Sequence, residues 1–228
     1  MEPEVSGEGA LPLTLPLTKC MEAGDLLVLA PELQTVDLLF GSSTPQHAGR
    51  RWEYAMALRT VWESGVLETK KIVPPMALDI GGAGSPLHLM LDRVGFFACH
   101  VIDPVINMPL ESALEKGISA PFVACVSVIE HVMDLPGFVE DLKRVVTPGG
   151  VLFLTSDIWN QRDEDPDKAH WHWMRNRIFT PGTWEATAAN FCASGEFALL
   201  GDHDFSWGGV VLENWGYSLC SMAMRRRA

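Results

Sequence analysis

Basic residues are scarce in this chain: 17 lysines and arginines stand against 29 aspartates and glutamates, for a formal net charge of -12. Such a field repels a phosphate backbone, so nucleic acid is not an expected partner. The run Arg225-Arg226-Arg227 is a local exception and reads as solvated terminal charge. Cysteine is sparse as well. Cys20, Cys99, Cys125, Cys192 and Cys220 are odd in number, scattered and never spaced C-x-x-C. Most lie in apolar runs, which reads as buried free thiols in a reducing, cytoplasmic compartment. No apolar stretch approaches the roughly 20 residues of a membrane span, so no membrane association is expected. The start, Met1-Glu2-Pro3-Glu4, lacks the basic and apolar regions of a secretory signal.

Apolar residues are plentiful. They make up 47% of 228 residues, enough to build the core of one α/β domain with a modest extension. Residues 1–48 read as an irregular arm, either a lid or a docking extension, and residues 49–228 as the domain proper. Prolines in Leu11-Pro12-Leu13-Thr14-Leu15-Pro16-Leu17-Thr18 oppose regular structure in the arm.

Residues 50–63 predict an amphipathic helix. Beyond Pro74-Pro75, short apolar runs alternate with helical patterns. Strands are predicted at 76–80, 97–102, 122–126, 151–155, 197–201 and 217–224. Helices are predicted at 87–94, 110–116, 135–146 and 181–193. Such alternation argues for a mostly parallel sheet covered by helices on both faces, with ligands bound beyond the carboxyl ends of the strands.

Three segments carry the chemistry. In Asp79-Ile80-Gly81-Gly82-Ala83-Gly84-Ser85 an apolar strand ends in a carboxylate and passes through small residues into a helix. Small residues let backbone run close beneath a ligand, and some positions there call for positive φ. Asp79 suits an ammonium group better than a pyrophosphate. Asp103 ends the next strand about twenty residues beyond the glycines, the spacing of a ribose-binding acid; the alternative is a turn aspartate before Pro104. Val126-Ser127-Val128-Ile129-Glu130-His131-Val132 follows a strand ending at the same sheet edge as Asp79.

Together with Arg144-Val145-Val146-Thr147-Pro148-Gly149-Gly150-Val151-Leu152, these segments resemble class I S-adenosylmethionine-dependent methyltransferases. Within that group they look most like the small-molecule branch that includes ubiquinone- and menaquinone-type enzymes. The resemblance covers residues 76–157 strongly and the rest, to 224, more weakly. It implies a Rossmann-like sheet ending in an antiparallel hairpin, S-adenosyl-L-methionine as cofactor, and a small-molecule acceptor. The implied cofactor residues are Asp79, Gly81, Gly82, Gly84, Asp103, Pro104, Ser127 and Val128. Tyr54 or Arg51 is available to the methionine carboxylate. His131 is either a general base or a support for loop and cofactor.

The chain departs from the family in two places. Ala83 and Ser85 fall where glycines are usual. Only about twenty residues separate Asp103 from Val126, which predicts a third strand reduced or missing and adenine resting on Pro104, Val105 and Ser119-Ala120. No metal is expected: Asp163-Glu164-Asp165-Pro166-Asp167 lacks the glycine and terminal acid of a calcium loop, and His170 and His172 lack further ligands at zinc spacing. Trp159, Trp171 and Trp173, with the 127–131 loop and residues 51–54, are expected to wall the acceptor pocket. Two alternatives remain at this stage: a nicotinamide-dependent oxidoreductase, whose fingerprint would need a glycine at Leu87, and a non-catalytic scaffold on a degenerate cofactor fold.

Overall fold

The computed structural model describes residues 15–40, 47–68, 75–159, 179–209, 211–212 and 217–228. Parallel strands β2 (Ala77–Ile80), β3 (Cys99–Ile102), β4 (Ala120–Val126) and β5 (Val146–Ile158) form one half of the sheet. In the other half β8 (Ser218–Arg226) runs antiparallel to β5, with β6 (Phe197–Leu199) and β1 (Thr18–Cys20) both paired to β8 and β7 (His203–Asp204) beside β1. The path across the sheet is β3-β2-β4-β5-β8-β1-β7.

The helices are α1 (Asp25–Val28), α2 (Ala30–Phe40), α3 (Ala48–Ser64), α4 (Leu87–Val94), α5 (Leu110–Glu115), α6 (Leu135–Val145) and α7 (Pro181–Cys192). Period-2 alternation along the central strands feeds two apolar layers. Phe122, Ala124 and Phe153 join Trp52, Leu58 and Met90 on one face, whereas Val123, Cys125, Leu152 and Leu154 join Leu142, Trp184 and Phe191 on the other. Fully burying such side chains contributes about 1.5–3 kcal/mol each. Local chemistry sets the helix starts. Asp134 accepts from Gly137 N at 3.1 Å to cap α6, and Thr180 with Thr183 forms a capping box ahead of α7.

Between Asp103 and Ala120 the chain makes a turn and α5, with no strand. The predicted loss of the third strand is therefore the observed geometry, and it leaves β3 at the sheet edge. Two expectations need correction. The arm is not irregular over its described part: residues 15–40 hold β1, α1 and α2, and β1 lies between β8 and β7 because β8 offers it a free edge. Nor is α3 amphipathic. Trp52 through Leu58 are all buried, Glu53 included, because α2 and the sheet enclose the helix from several sides.

Candidate active site

Four elements meet at the carboxyl end of the parallel strands. β2 delivers the turn at 81–85. Gly81 has φ 75° and Gly84 φ 72°, a region that costs an L-residue about 1–2 kcal/mol. A Cβ on Gly81 would run into Val128, so this glycine also allows the 127–131 segment to pack against the turn. A Cβ on Gly82 would run into the Asp79 carboxylate, whereas Gly84 has open space.

Asp79 is buried, and its Oδ2 has no hydrogen-bond partner. Burial pushes its pKa up to about 7; a backbone amide at His88 and the Arg50 charge pull it down, and Asp103 adds to the rise. Asp103 clamps the edge of the turn. Its Oδ2 accepts from Ala83 N at 3.1 Å and its Oδ1 from Val105 N at 2.7 Å. Each carboxylate oxygen keeps further acceptor capacity.

α3 supplies the third wall. Arg50, Glu53 and Tyr54 stand at i, i+3 and i+4 and so share a face. Arg50 Nη1 meets Glu53 Oε2 at 3.0 Å, and the Tyr54 hydroxyl lies 2.9 Å from Ser85 Oγ. Burial raises the Tyr54 pKa to about 12, so the phenol stays protonated. β4 ends in the fourth wall. Ser127, a non-glycine residue with φ 51°, donates from Oγ to Glu53 Oε1 at 2.5 Å, and Thr155 Oγ1 donates to the same oxygen at 2.5 Å.

These walls enclose a cavity of about 630 Å³ lined by Arg50, Tyr54, Gly81, Ala83, Gly84, Ser85, Pro86, Val126 and Ser127. That volume suits a cofactor-sized organic ligand. Three carboxyl groups, Glu53, Glu130 and Asp157, act electrostatically on the one Arg50 guanidinium. Burial and the charges of Asp157 and Glu53 hold the Glu130 pKa well above the usual range, and burial with Glu53 brings Asp157 to about 7. Glu130 Oε2 accepts from Ser156 Oγ at 3.3 Å.

Of the residues singled out from sequence, Tyr54, Gly81, Gly84 and Ser127 line the cavity. Gly82 lies within its turn, Asp79 and Val128 pack directly against that turn, and Asp103 is bonded to it. Pro104 and Val105 are exposed in the turn after Asp103, outside the lining. His131 ends the 3-10 turn Ile129–His131, with Nε2 4.0 Å from Glu130 Oε1, also outside the lining. Arg51 does not reach the cavity. It pairs with Asp37 at 2.7 Å on the outer side of α3, because one residue along a helix rotates the side chain by about 100°. Arg50 lines the cavity where the sequence reading offered Arg51, and its i, i+4 spacing from Tyr54 is the signal that finds it.

Trp159 is half-buried and packs against Tyr217 with ring centroids 5.1 Å apart and planes tilted by 43°. Trp171, Trp173, His170, His172 and the acidic run 163–167 lie outside the described residues. Among the described residues no three His, Cys, Asp or Glu side chains converge as a metal site, and no helix is long and apolar enough to cross a membrane.

A family model described as "Methyltransferase domain" matches residues 54–189, more than half of the chain. Among solved structures, a protein from Galdieria sulphuraria provisionally described as a sarcosine dimethylglycine methyltransferase superposes with a TM-score of 0.53 at 14% identity, covering 76% of this chain and 84% of its own. The (4+2)-cyclase SpnF superposes with a TM-score of 0.51 at 14% identity, covering 90% and 94%. At such identities the likeness concerns the fold, and a fold hosts many reactions. No curated protein matches the chain.

Proposed function

The chain belongs to the methyltransferase-domain family, and from that membership we propose that it transfers a methyl group from S-adenosyl-L-methionine to a small organic acceptor, with the cofactor seated in the cavity between α3, the 81–85 turn and Ser127. Membership makes it a methyltransferase rather than a nicotinamide-dependent oxidoreductase or an inert scaffold. One observation carries the cofactor assignment. Asp79 Oδ2 is a buried carboxylate oxygen without a partner, directly beneath the glycine turn. Leaving such an atom unpaired is costly, and an ammonium group satisfies it. A glycine cradle where a Cβ would clash, a free-edged turn at Gly84 and a cavity of about 630 Å³ fit the same ligand.

In this reading Arg50 keeps N–H donors beyond those used on Glu53 and offers them to the methionine carboxylate, beside the Tyr54 hydroxyl. Asp103 uses its remaining lone pairs on the ribose hydroxyls. The exposed apolar surface of Pro104 and Val105 next to it supports the adenine. When bound, the cofactor supplies an electrophilic methyl group on a sulfonium centre. The protein's part is alignment and exclusion of water. Where the acceptor must lose a proton, His131 is one proton acceptor within the site region; Asp157, with its pKa near 7 at the end of β5, is the other. The Glu130-His131 pair and the Pro148-Gly149-Gly150 turn support a place in the small-molecule branch. The described part of the arm serves as a buttress: Asp25 takes Trp52 Nε1 at 3.0 Å and so fixes α3.

The test is turnover with fractionated small-molecule extract. S-adenosylhomocysteine should be released together with a product heavier by one methylene, and Arg50→Ala should lose both. Undiminished release by the folded Arg50→Ala chain would move the site elsewhere.

A further inference from the structure

Cys20 on β1 and Cys220 on β8 are direct partners in the antiparallel register. Met21 N donates to Leu219 O at 2.7 Å, which makes the neighbouring pair a hydrogen-bonded one. Hydrogen-bonded and non-hydrogen-bonded pairs alternate, so Cys20 and Cys220 occupy a non-hydrogen-bonded position, where Cα atoms approach to about 4.5 Å and side chains are closer than elsewhere in the ladder. That spacing falls within the roughly 4.4–6.8 Å that a disulfide bridges. Both thiols lie on one face, in the same apolar cluster. The other strand cysteines have no such partner: Cys125 sits opposite Ile80 and Leu154, and Cys99 opposite Ala77.

We propose that Cys20 and Cys220 are an oxidisable dithiol that closes to an intramolecular disulfide when the chain meets a peroxide. The Cys20 thiolate attacks the O–O bond, giving a sulfenic acid and hydroxide, which takes up a proton. The Cys220 sulfur then attacks that sulfenic sulfur, the S–S bond forms and water leaves. Two thiols are oxidised and one peroxide is reduced to two waters.

The same geometry sets the speed. Cys20 and Cys220 are both buried and free in the reduced chain. Burial pushes the Cys20 thiol up to about 12, with Asp204 and Glu22 adding to the rise and Lys19 opposing it, and burial holds Cys220 well above the usual thiol range, with Cys20 itself among the contributing charges. Thiolate is scarce while β1 is docked, so reaction follows opening of β1. That strand has three residues and its outer neighbour β7 two, so few ladder hydrogen bonds oppose its opening. The bond records sustained oxidant rather than a brief pulse. Its position has a consequence for the cavity. Lys19, beside Cys20, holds Asp25 at 2.7 Å, and Asp25 in turn holds Trp52 in the helix that presents Arg50 and Tyr54. The bond fixes the start of that support.

The experiment uses the full chain, exposed to hydrogen peroxide without denaturant, then unfolded in N-ethylmaleimide and mapped by mass spectrometry. The expected result is a linked Cys20–Cys220 peptide lighter by two hydrogens, with both cysteines protected from alkylation until a reductant is added, and no such peptide from Cys20→Ser. Full alkylation of both cysteines, or their recovery as unlinked sulfinic acids, would overturn the proposal. The linked peptide in the unsubstituted chain decides the matter even where Cys20→Ser fails to fold. The outcome is independent of whether the cavity binds S-adenosylmethionine.

Discussion

Glu53 Oε1 accepts the Ser127 hydroxyl at 2.5 Å across 74 residues of sequence, while its Oε2 holds Arg50. One buried carboxylate thus joins two walls of the cavity and keeps Ser127 in its positive-φ conformation. Replacing it with alanine leaves the half-buried Arg50 guanidinium to water and frees the loop. Because Arg50 keeps 38% exposure, the cost falls below the roughly 3–5 kcal/mol of a fully buried pair. Glu53→Ala is therefore expected to lower the thermal midpoint and weaken S-adenosylhomocysteine binding by roughly 10–100-fold, from hydrogen bonds to a charged group worth about 1.5–3 kcal/mol. Glu53→Gln keeps an acceptor for Ser127 and Thr155 and should lose less. Calorimetry on both variants checks the order; equal affinities in wild type and Glu53→Ala would remove Glu53 from the site.

Gly81 and Gly84 share a left-handed backbone but differ in surroundings. Gly84→Ala should destabilise by the conformational term alone, about 1 kcal/mol. Gly81→Ala adds the collision with Val128, so it should be worse by a further 1–3 kcal/mol, the usual size of an overpacking effect. Urea unfolding of the two variants gives the comparison, and equal destabilisation would contradict the packing described.

Asp79 links binding to pH. Burial holds its pKa near 7, against the opposing pull of Arg50 and His88 N and with the added push of Asp103. The carboxyl is neutral below that pH and charged above it, and an ammonium group prefers the charged form. Affinity for S-adenosylhomocysteine should then rise from about pH 6 to about pH 8, with proton release on binding at the acid end. The unliganded fold shows the opposite sign. A raised carboxyl pKa adds stability at low pH that is lost as pH climbs from the unfolded value near 4 through about 7. Asp79→Asn should flatten the binding profile; an unchanged profile in that variant would assign the proton to another group.

Much of this was legible in the sequence because local rules and tertiary structure agree there. The Asp79–Ser85 segment carries strand, turn and helix signals in order, and helix α4 spans Leu87–Val94 as its periodicity predicts. The short stretch after Asp103 foretold the missing strand by arithmetic alone. What escaped reading depends on long-range packing. Glu53 looks like a solvent-facing acid in its helix, and only the arrival of Ser127 and Thr155 explains its burial. Arg50 and Arg51 are indistinguishable as residue types and separate only once the helix phase is fixed by the buried Trp52. Strand β1 has three residues, two of them polar, too little pattern to announce a place in the sheet.

The central claim, that the cavity holds S-adenosylmethionine, meets its most direct test in calorimetric titration of the chain with S-adenosylhomocysteine and, separately, with NAD. The account predicts saturable binding at one site per chain for S-adenosylhomocysteine, none for NAD, and a loss of roughly 10–100-fold in Asp103→Ala, the cost of a charge-assisted hydrogen bond to the ribose. Binding of NAD in preference to S-adenosylhomocysteine, or S-adenosylhomocysteine affinity unchanged in a folded Asp103→Ala chain, would contradict it.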